Sequence, residues 1–372
     1  MNILFACNSY YPNLGGAEKV CKDMVHLLKH AGHNVVVLTQ PVKEREENYD
    51  MTVFKEFDAK SAYSYMPELN EFLQESDFDV YISFGYGKYF TDEIGRFCKA
   101  SGKKSIFMPC GDFHTNQGDW KKILYAAIIG KQSFNNYDVV ITATEWEKQH
   151  WVDKYKVSEK KFCVIPYVLD SNFAKYKTTE ILKLNKLKEK DYLLYIGRTG
   201  PNKKINWLIK AFIDSECKIP LVVAGLGTDS EDLKGLAMKH GEPRDNIKFL
   251  GKVSEDDKKT LIANAKVCVF PSLYESFGMV ILESIALGTP VLLSNIPSFK
   301  ELVKDNTVFF ENTVASMSER LTAFLSSTDA SRLPKVNFAT DMNKLLWLVL
   351  DGPNKADLAP VCNIKTFRVE KR

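Results

Sequence analysis

Short apolar runs alternate with longer stretches of helical spacing along most of this chain, and few folds can accommodate that alternation. In the first half, Val20, Met24 and Leu28 have the spacing of one helical face, and Gly32 ends the helix. Strands that are apolar throughout and separated by helices are typical of a parallel sheet covered on both sides. The strands predicted in this half are Asn2–Cys7, Asn34–Thr39, Val80–Phe84, Ser105–Pro109 and Val139–Ala143.

A second series of the same kind begins near Tyr192. Its predicted strands are Tyr192–Ile196, Leu221–Ala224, Ile247–Leu250, Val267–Phe270 and Val291–Ser294. Its predicted helices are Asn206–Ile213, Glu231–Lys239, Asp256–Asn264 and Gly278–Leu287. We therefore expect an α/β protein with two Rossmann-like, doubly wound parallel-sheet domains facing a central cleft, toward which the carboxyl ends of the strands point.

Domain boundaries follow from changes in composition. Residues 1–170 form the first predicted domain, and the lysine-rich residues 171–190 read as a solvated connector. Residues 191–340 form the second predicted domain, although the pattern weakens after Val303. Residues 341–372 are predicted to be a helix and a polar tail. This helix either crosses back to the first domain or stays with the second.

Charge and cysteine usage exclude several classes of protein. Lys and Arg number 50 against 47 Asp and Glu, so the net charge of +3 is too small for the basic field that nucleic-acid binding needs. The eight cysteines are far apart without zinc spacing, which is typical of small buried side chains in a reducing compartment. Since no apolar run is long enough for a membrane span, we expect a cytoplasmic protein.

The segment from Pro271 to Pro290 holds the residues most suited to chemistry. It follows a predicted strand and starts a helix near Gly278, where the backbone N–H groups of Phe277, Gly278, Met279 and Val280 would form an anion site suited to a diphosphate. Glu275 lies before this helix and Glu283 lies eight residues later. Taken alone, two glutamates at this spacing are more often surface or capping residues.

With its flanking residues, this segment resembles the donor-site motif of the retaining glycosyltransferases of family four, two-domain enzymes of the GT-B fold. Further motifs occur in the family's order over about residues 1–303. They are Gly15-Gly16-Ala17-Glu18, Gly197-Arg198 with Pro201-Asn-Lys203, Leu208-Ile-Lys-Ala-Phe212, Ala224-Gly225-Leu-Gly227 and Phe249-Leu-Gly251-Lys-Val253. The resemblance implies an acceptor-side first domain, a second domain that binds a nucleotide-diphosphate sugar as donor substrate, and no cofactor.

The resemblance also assigns roles in the second domain. Glu275 would hold sugar hydroxyls and stabilise positive charge at the anomeric carbon, Glu283 would bind the ribose, and the main chain at Val253 would touch the base. Arg198 and Lys203 would stabilise the leaving diphosphate in place of a metal ion. We expect no Asp-x-Asp metal motif to take that role. Retention without an obvious nucleophile suggests a front-face mechanism.

In the first domain, Gly15 and Gly16 precede a helix where the backbone can approach a phosphate or sugar, although an ordinary turn explains them equally. His114 follows a predicted strand and is similar to a family histidine near the anomeric centre, so we count it with the catalytic residues; Asp112 is a weaker candidate. Lys204 departs from the family, which has glycine there.

Three questions stay open. A nucleotide-sugar epimerase of the same fold and a non-catalytic nucleotide-sugar-binding protein are the alternatives to the transferase. The acceptor is a saccharide or a lipid-linked compound: residues 119–134 could rest on an anionic membrane in a weak peripheral contact, but we prefer a core-facing helix with a wet side. Glu255 could pair with guanine or cap the helix beginning near Asp256.

Overall fold

The chain forms two compact units, one holding the described residues up to Tyr167 and the other those from Leu169 to Ser327. A computed structural model describes residues 1–10, 15–41, 53–57, 63, 65–111, 120–167, 169, 173–239 and 246–327.

The first unit is a seven-stranded parallel sheet with helices between its strands. In chain order the strands are β1 (Asn2–Cys7), β2 (Asn34–Thr39), β3 (Val53–Glu56), β4 (Val80–Phe84), β5 (Lys104–Met108), β6 (Val139–Thr142) and β7 (Phe162–Val164). The helices are α1 (Gly16–His30), α2 (Pro67–Glu75), α3 (Tyr89–Ser101), α4 (Trp120–Ile128), α5 (Gly130–Asn135) and α6 (Glu145–Tyr155). The strand order β3-β2-β1-β4-β5-β6-β7 is that of a doubly wound sheet.

The second unit repeats this plan with six parallel strands in the order β10-β9-β8-β11-β12-β13. The strands are β8 (Leu193–Ile196), β9 (Leu221–Ala224), β10 (Ile247–Gly251), β11 (Val267–Phe270), β12 (Val291–Ser294) and β13 (Phe309–Phe310). The helices are α7 (Ile181–Leu184), α8 (Ile205–Asp214), α9 (Glu231–Lys239), α10 (Glu255–Asn264), α11 (Met279–Ala286), α12 (Pro297–Leu302) and α13 (Val314–Ser326).

The central strands show why the sequence alternates as it does. Every residue of β8 and β11 is buried, because helices cover both faces of the sheet. Leu193 and Tyr195 pack into a core with Leu208 and Phe212 of α8. The doubly wound α/β fold predicted from the sequence is therefore confirmed.

Three strands were not predicted from the sequence, nor were helices α7, α12 and α13 of the second unit. They are β3, β7 and β13, and the last two are only three and two residues long, which is too short for a periodic signal. Helix α13 follows Val303, where the pattern weakens, yet its Met317 and Leu321 are buried in the second core. The amphipathic stretch predicted near Met342–Leu350 lies outside the described residues.

The lysine-rich segment predicted as a solvated connector is described from Phe173 onward, where it packs on the second unit. Ile181 and Leu187 are buried although lysines surround them. The backbone N–H of Thr179 donates to Thr260 Oγ1 of α10 at 3.2 Å. Lys190 Nζ donates to the carbonyl of Ala263 at 2.6 Å, so this lysine caps carbonyl groups at the end of α10.

Candidate active site

Most of the residues singled out in the second half lie in loops at one edge of the second sheet. Strands β10, β9, β8 and β11 are neighbours and parallel, so their carboxyl ends meet at the same edge. Arg198 and Lys203 follow β8, Val253 follows β10, and Glu275 follows β11. Glycine residues let these loops approach one another.

Gly225 shows how closely the loops after β8 and β9 pack. It adopts φ +127°, and a Cβ atom placed on it would overlap the carbonyl oxygen of Gly197. The N–H of Gly197 donates to Ala224 O at 3.0 Å, and the N–H of Gly225 donates to Gly251 O at 2.7 Å. Three neighbouring loops are thereby tied together by main chain, which leaves no room for a side chain at Gly225.

Lys203, after β8, and Glu275, after β11, contact each other directly at this edge of the sheet. Lys203 Nζ forms an ion pair with Glu275 Oε1, and both side chains are partly exposed. The backbone fixes the two loops, since the N–H of Leu273 donates to the carbonyl of Asn202 at 2.8 Å. The structure thus brings together the cation assigned to the diphosphate and the carboxylate assigned to the sugar.

Ser272 contacts the same oxygen of Glu275. Its Oγ donates to Glu275 Oε1 at 3.0 Å, and the serine is itself buried. Ser294 Oγ of β12 donates to the carbonyl of Ser272 and contacts the carbonyl of Phe270 at 3.2 Å. The sequence analysis missed Ser272, although a serine directly after a strand and Pro271 was the available signal.

Helix α11 begins beside this pair without a side-chain cap. Gly278 is its N-cap residue at φ +102°, and a Cβ atom there would lie 2.9 Å from the ring of Phe299. The first turn of α11 contains no acidic residue. Phe277 is buried, so any ligand contact by this residue would come from its backbone. The positive end of α11 therefore lies in the same loop region as Glu275.

Glu283 lies inside α11 and pairs with a lysine that the sequence analysis missed. Its side chain is only 2% exposed, and Oε1 lies 3.2 Å from Lys258 Nζ of α10. The same Nζ lies 2.8 Å from Glu255 Oε2. Burial lowers the pKa of Lys258, but the two carboxylates outweigh it and leave the pKa raised. Lys258 is therefore a charged clamp between α10 and α11.

Glu255 does not cap α10, which was one of its two predicted roles. The cap is Ser254, whose Oγ accepts from the N–H of Asp257 at 3.1 Å. Glu255 begins the helix and pairs with Lys258 instead. Since Lys258 lies among five charged residues, Glu255 to Lys259, the sequence indicates only a solvated helix face there.

In the first unit, Gly15 and Gly16 lie at the start of α1, as predicted. Gly15 is the N-cap residue with extended backbone, and a Cβ atom on Gly16 would meet nothing within 4 Å. Packing within the described residues therefore does not require glycine at position 16. His114 and Asp112 lie outside the described residues.

A buried glutamate, Glu147, fixes the loop that follows β5. Its Oε1 accepts from the N–H of Gly111 at 2.9 Å, and its Oε2 accepts from the N–H of Ala143 at 3.0 Å. The N–H of Glu147 donates to Thr144 Oγ1 at 3.0 Å, which caps α6. The spacing Thr144-x-x-Glu147 of a capping box was the available sequence signal.

An Asp-x-Asp sequence does occur, against our expectation, as Asp77-Phe78-Asp79. Asp77 accepts from Lys103 Nζ at 2.6 Å, and Asp79 accepts from the N–H of Asn2 at 2.7 Å. Both aspartates precede β4, at the amino end of that strand. Across the described ranges, no group of three or more His, Cys, Asp and Glu side chains could hold a metal ion. No described helix is both long enough and apolar enough to cross a membrane.

Two family models match this chain in succession. Residues 14–173 match Glycosyltransferase Family 4, and residues 177–337 match Glycosyl transferases group 1. The two models together span both units.

Two curated relatives illustrate the range of similar proteins. The O-antigen chain mannosyltransferase B of Escherichia coli is 25% identical over 236 residues, a match that covers 62% of this chain and 61% of that protein. The GPI3 subunit of phosphatidylinositol N-acetylglucosaminyltransferase of Saccharomyces cerevisiae is 23% identical over 335 residues, covering 85% and 73% respectively. This chain thus spans about three-fifths of the first relative and nearly three-quarters of the second.

Among solved structures, HepE of Anabaena in complex with UDP-glucose superposes with a TM-score of 0.73. The sequences are 16% identical, and the match covers 89% of this chain and 91% of that one. This similarity concerns the fold alone.

Proposed function

We propose that this protein, which belongs to glycosyltransferase family four, moves a sugar from a nucleotide-diphosphate sugar to an acceptor hydroxyl with retention of configuration. The observation that supports this most is the contact between Lys203 and Glu275 beside the uncapped start of α11. A cation, a carboxylate and a helix N-terminus in one place match the diphosphate and the sugar hydroxyls of such a donor.

The diphosphate would lie against the N–H groups from Phe277 to Val280, with Arg198 and Lys203 beside it. Negative charge on the leaving nucleoside diphosphate grows as the glycosidic bond breaks, so fixed cations stabilise the transition state more than the ground state. Lys203 would then exchange part of its interaction with Glu275 for one with the donor. These two cations would do the work of a metal ion, so the reaction needs no cofactor.

Glu275 would bind sugar hydroxyls and stabilise positive charge at the anomeric carbon. The acceptor oxygen would form its bond to that carbon on the face from which the diphosphate leaves. The acceptor proton would pass to the departing phosphate oxygen. Ser272 and Lys203 both contact Glu275 Oε1, so this oxygen is already engaged by two donors. Glu275 therefore acts as an electrostatic group and not as a general base.

Glu283 would accept hydrogen bonds from the ribose hydroxyls, while Lys258 fixes its carboxylate from α10. The main chain at Val253 would contact the base. For the first unit, the roles of Gly15, Gly16 and His114 toward the donor stay predictions from the family resemblance. The acceptor would be a saccharide or a lipid-linked compound, consistent with the O-antigen and phosphatidylinositol named for the two relatives. We place the reaction in the cytoplasm.

A donor screen followed by product analysis tests this proposal. UDP-, GDP- and ADP-sugars are compared for their ability to raise the melting temperature, because a ligand stabilises the state that binds it. The best donor is then incubated with candidate acceptors, and proton NMR of the early product reports the anomeric configuration. We expect the configuration of the donor to be kept.

Three outcomes would contradict parts of the proposal. An inverted anomer would exclude the front-face mechanism. Epimerised free donor in the absence of acceptor would favour the epimerase alternative, and stable donor binding without turnover on any acceptor would favour a non-catalytic binding protein.

A further inference from the structure

A buried tyrosine of β8, Tyr195, reaches from the core of the second unit to the loop that carries Arg198. It packs in the core that also contains Leu208 and Phe212 of α8, and it is only 2% exposed. Its hydroxyl donates to the carbonyl oxygen of Arg198 at 3.1 Å. A Cβ atom placed on Gly197 would lie 3.2 Å from this hydroxyl, so the glycine leaves room for the contact.

The main chain around Arg198 is held at three successive residues. The N–H of Gly197 donates to Ala224 O at 3.0 Å. The N–H of Thr199 donates to Leu226 O, also at 3.0 Å. Between them, the carbonyl of Arg198 accepts from the tyrosine hydroxyl. The side chain of Arg198 is exposed, so the position of its guanidinium depends on the main chain from which it extends.

The hydroxyl of Tyr195 stays protonated near neutral pH and so remains a donor. Burial raises the pKa of this phenol, and the nearby carboxylate of Glu275 raises the pKa further. The same effect of Glu275 shows that the phenol lies close to the loop after β11 as well as to the loop after β8.

We propose that Tyr195 is a positioning residue for Arg198, which it holds by the main chain so that the guanidinium meets the departing diphosphate. This inference rests on the proposed function, which assigns Arg198 to that diphosphate. Since negative charge on the diphosphate grows in the transition state, a displaced guanidinium should lower turnover more than nucleotide affinity.

Tyr192 supplies a matched control at the amino end of the same strand. It is also buried, and its hydroxyl donates to the carbonyl oxygen of Leu261 in α10 at 2.6 Å. Tyr195→Phe and Tyr192→Phe therefore remove the same kind of hydrogen bond, and both should lower the melting temperature by similar amounts. Only Tyr195→Phe removes a contact to the Arg198 loop. The melting temperatures also establish that both variants fold.

Hydrogen exchange followed by mass spectrometry tests the positioning without any substrate. In Tyr195→Phe, the peptide that covers residues 197–204 should exchange about fivefold faster than in the parent, because its loop opens more often. In Tyr192→Phe this peptide should exchange like the parent. Unchanged exchange in Tyr195→Phe would overturn the proposal, and so would equal acceleration in the two variants.

Initial rates test whether Tyr195 acts through Arg198. The donor is the UDP-, GDP- or ADP-sugar that raises the melting temperature most. Tyr195→Phe should lower turnover about tenfold, while the affinity for the matching nucleoside diphosphate changes by less than about twofold. In an Arg198→Ala background, Tyr195→Phe should lower turnover no further, because its effect passes through the arginine.

Two results in this cycle would contradict the positioning role. They are an equal loss of turnover in both backgrounds, and parent-like turnover of Tyr195→Phe where Arg198→Ala is impaired. Parent-like turnover of Arg198→Ala itself is a different result: it would contradict the role of Arg198 in the proposed function and remove the premise of this inference.

Discussion

Among individual residues, Lys203 and Glu275 are central to the proposed chemistry, and each fixes the position of the other. In the structure the ammonium neutralises the carboxylate, and Ser272 supplies a second donor to the same oxygen. A nucleotide-sugar donor carries sugar hydroxyls for Glu275 and a diphosphate for Lys203, so it would supply a partner to each side chain at once. The residues were singled out for separate roles, and their contact links those roles.

Replacing Glu275 should separate turnover from nucleotide binding. In Glu275→Gln the carboxylate charge is lost, so turnover should fall about 100-fold, the scale seen when one preorganised electrostatic group is removed. Lys203 is released from its ion pair, so the affinity for the nucleoside diphosphate should stay the same or rise. Initial rates and calorimetry measure the two effects, with Glu180→Gln as a control that removes an exposed carboxylate paired with Lys183. A large loss of nucleotide affinity with turnover intact would reverse the role we assign.

Lys258 should matter for stability because Glu283 is buried beside it. In Lys258→Met the carboxylate of Glu283 stays charged but loses this cation. The free energy of unfolding should therefore fall by about 3–5 kcal/mol. Adding Glu283→Gln should recover most of the loss, since the buried charge is then gone. Urea unfolding measures the cycle, with the exposed Lys252→Met as the control. Additive effects of the two substitutions would mean that the pair is not coupled.

At the level of loops and helices, Gly225 is the position least able to accept a side chain. Gly225→Ala would force its Cβ against Gly197 O and push the loops after β8 and β9 apart. We expect a loss of about 1–3 kcal/mol in stability and a weaker affinity for the nucleoside diphosphate. Gly235→Ala in α9 is the matched control, because nothing lies within 4 Å of that Cβ. Unfolding and calorimetry check both, and equal behaviour of the two variants would show that the close approach is unimportant.

Asp92 connects α3 to α4 and α5, and its ionisation should change the free energy of unfolding as the pH changes. Tyr63 OH and Tyr125 OH each donate to it at 2.9 Å, and Ser133 donates as well. Burial raises the pKa of Asp92 above its ordinary 3.8 against these hydrogen bonds, so the folded state favours the neutral acid. Its contribution to stability is therefore full below pH 3.8 and is lost as pH rises through the folded pKa.

Asp92→Asn keeps a neutral group at every pH and does not suffer that loss. The stability of the variant relative to the parent should therefore improve between pH 3.5 and pH 7. Urea unfolding at the two pH values gives the comparison. A difference that does not change with pH would show that the pKa of Asp92 is not raised in the folded state, and one that declines toward pH 7 would show that it is lowered.

Elements differ in how well the sequence predicts them. Central strands such as β1 and β8 are apolar at nearly every position, so their bounds were predicted to within a residue. Lys258 was not found, because a lysine in a charged run resembles any solvated helix face until α11 is packed against it. Helix α4 faces the core on one side and solvent on the other, as predicted, but composition could not say that Tyr125 faces the core and Ile123 does not.

For the molecule as a whole, the main prediction is that turnover does not depend on metal. Arg198 and Lys203 lie in one loop and supply the positive charge that a divalent ion would otherwise bring. Activity measured directly from product formation should persist in excess chelator. Complete loss of activity on chelation, restored by magnesium or manganese, would contradict this prediction. Arg198→Ala should lower turnover in the same assay by about 100-fold.

The strand order also affects how the chain folds during its synthesis. Strand β1 lies inside its sheet between β2 and β4, and Ile3 pairs with both Val35 and Val80. At ribosomal speeds, the second of these partners is made on the order of ten seconds after the first strand. Until then, one edge of an apolar strand is unpaired, and β8 meets the same delay between β9 and β11. Nascent chains of this design therefore expose an unpaired apolar strand edge twice, once for each sheet, and each edge is open to pairing with another chain until its second partner is made.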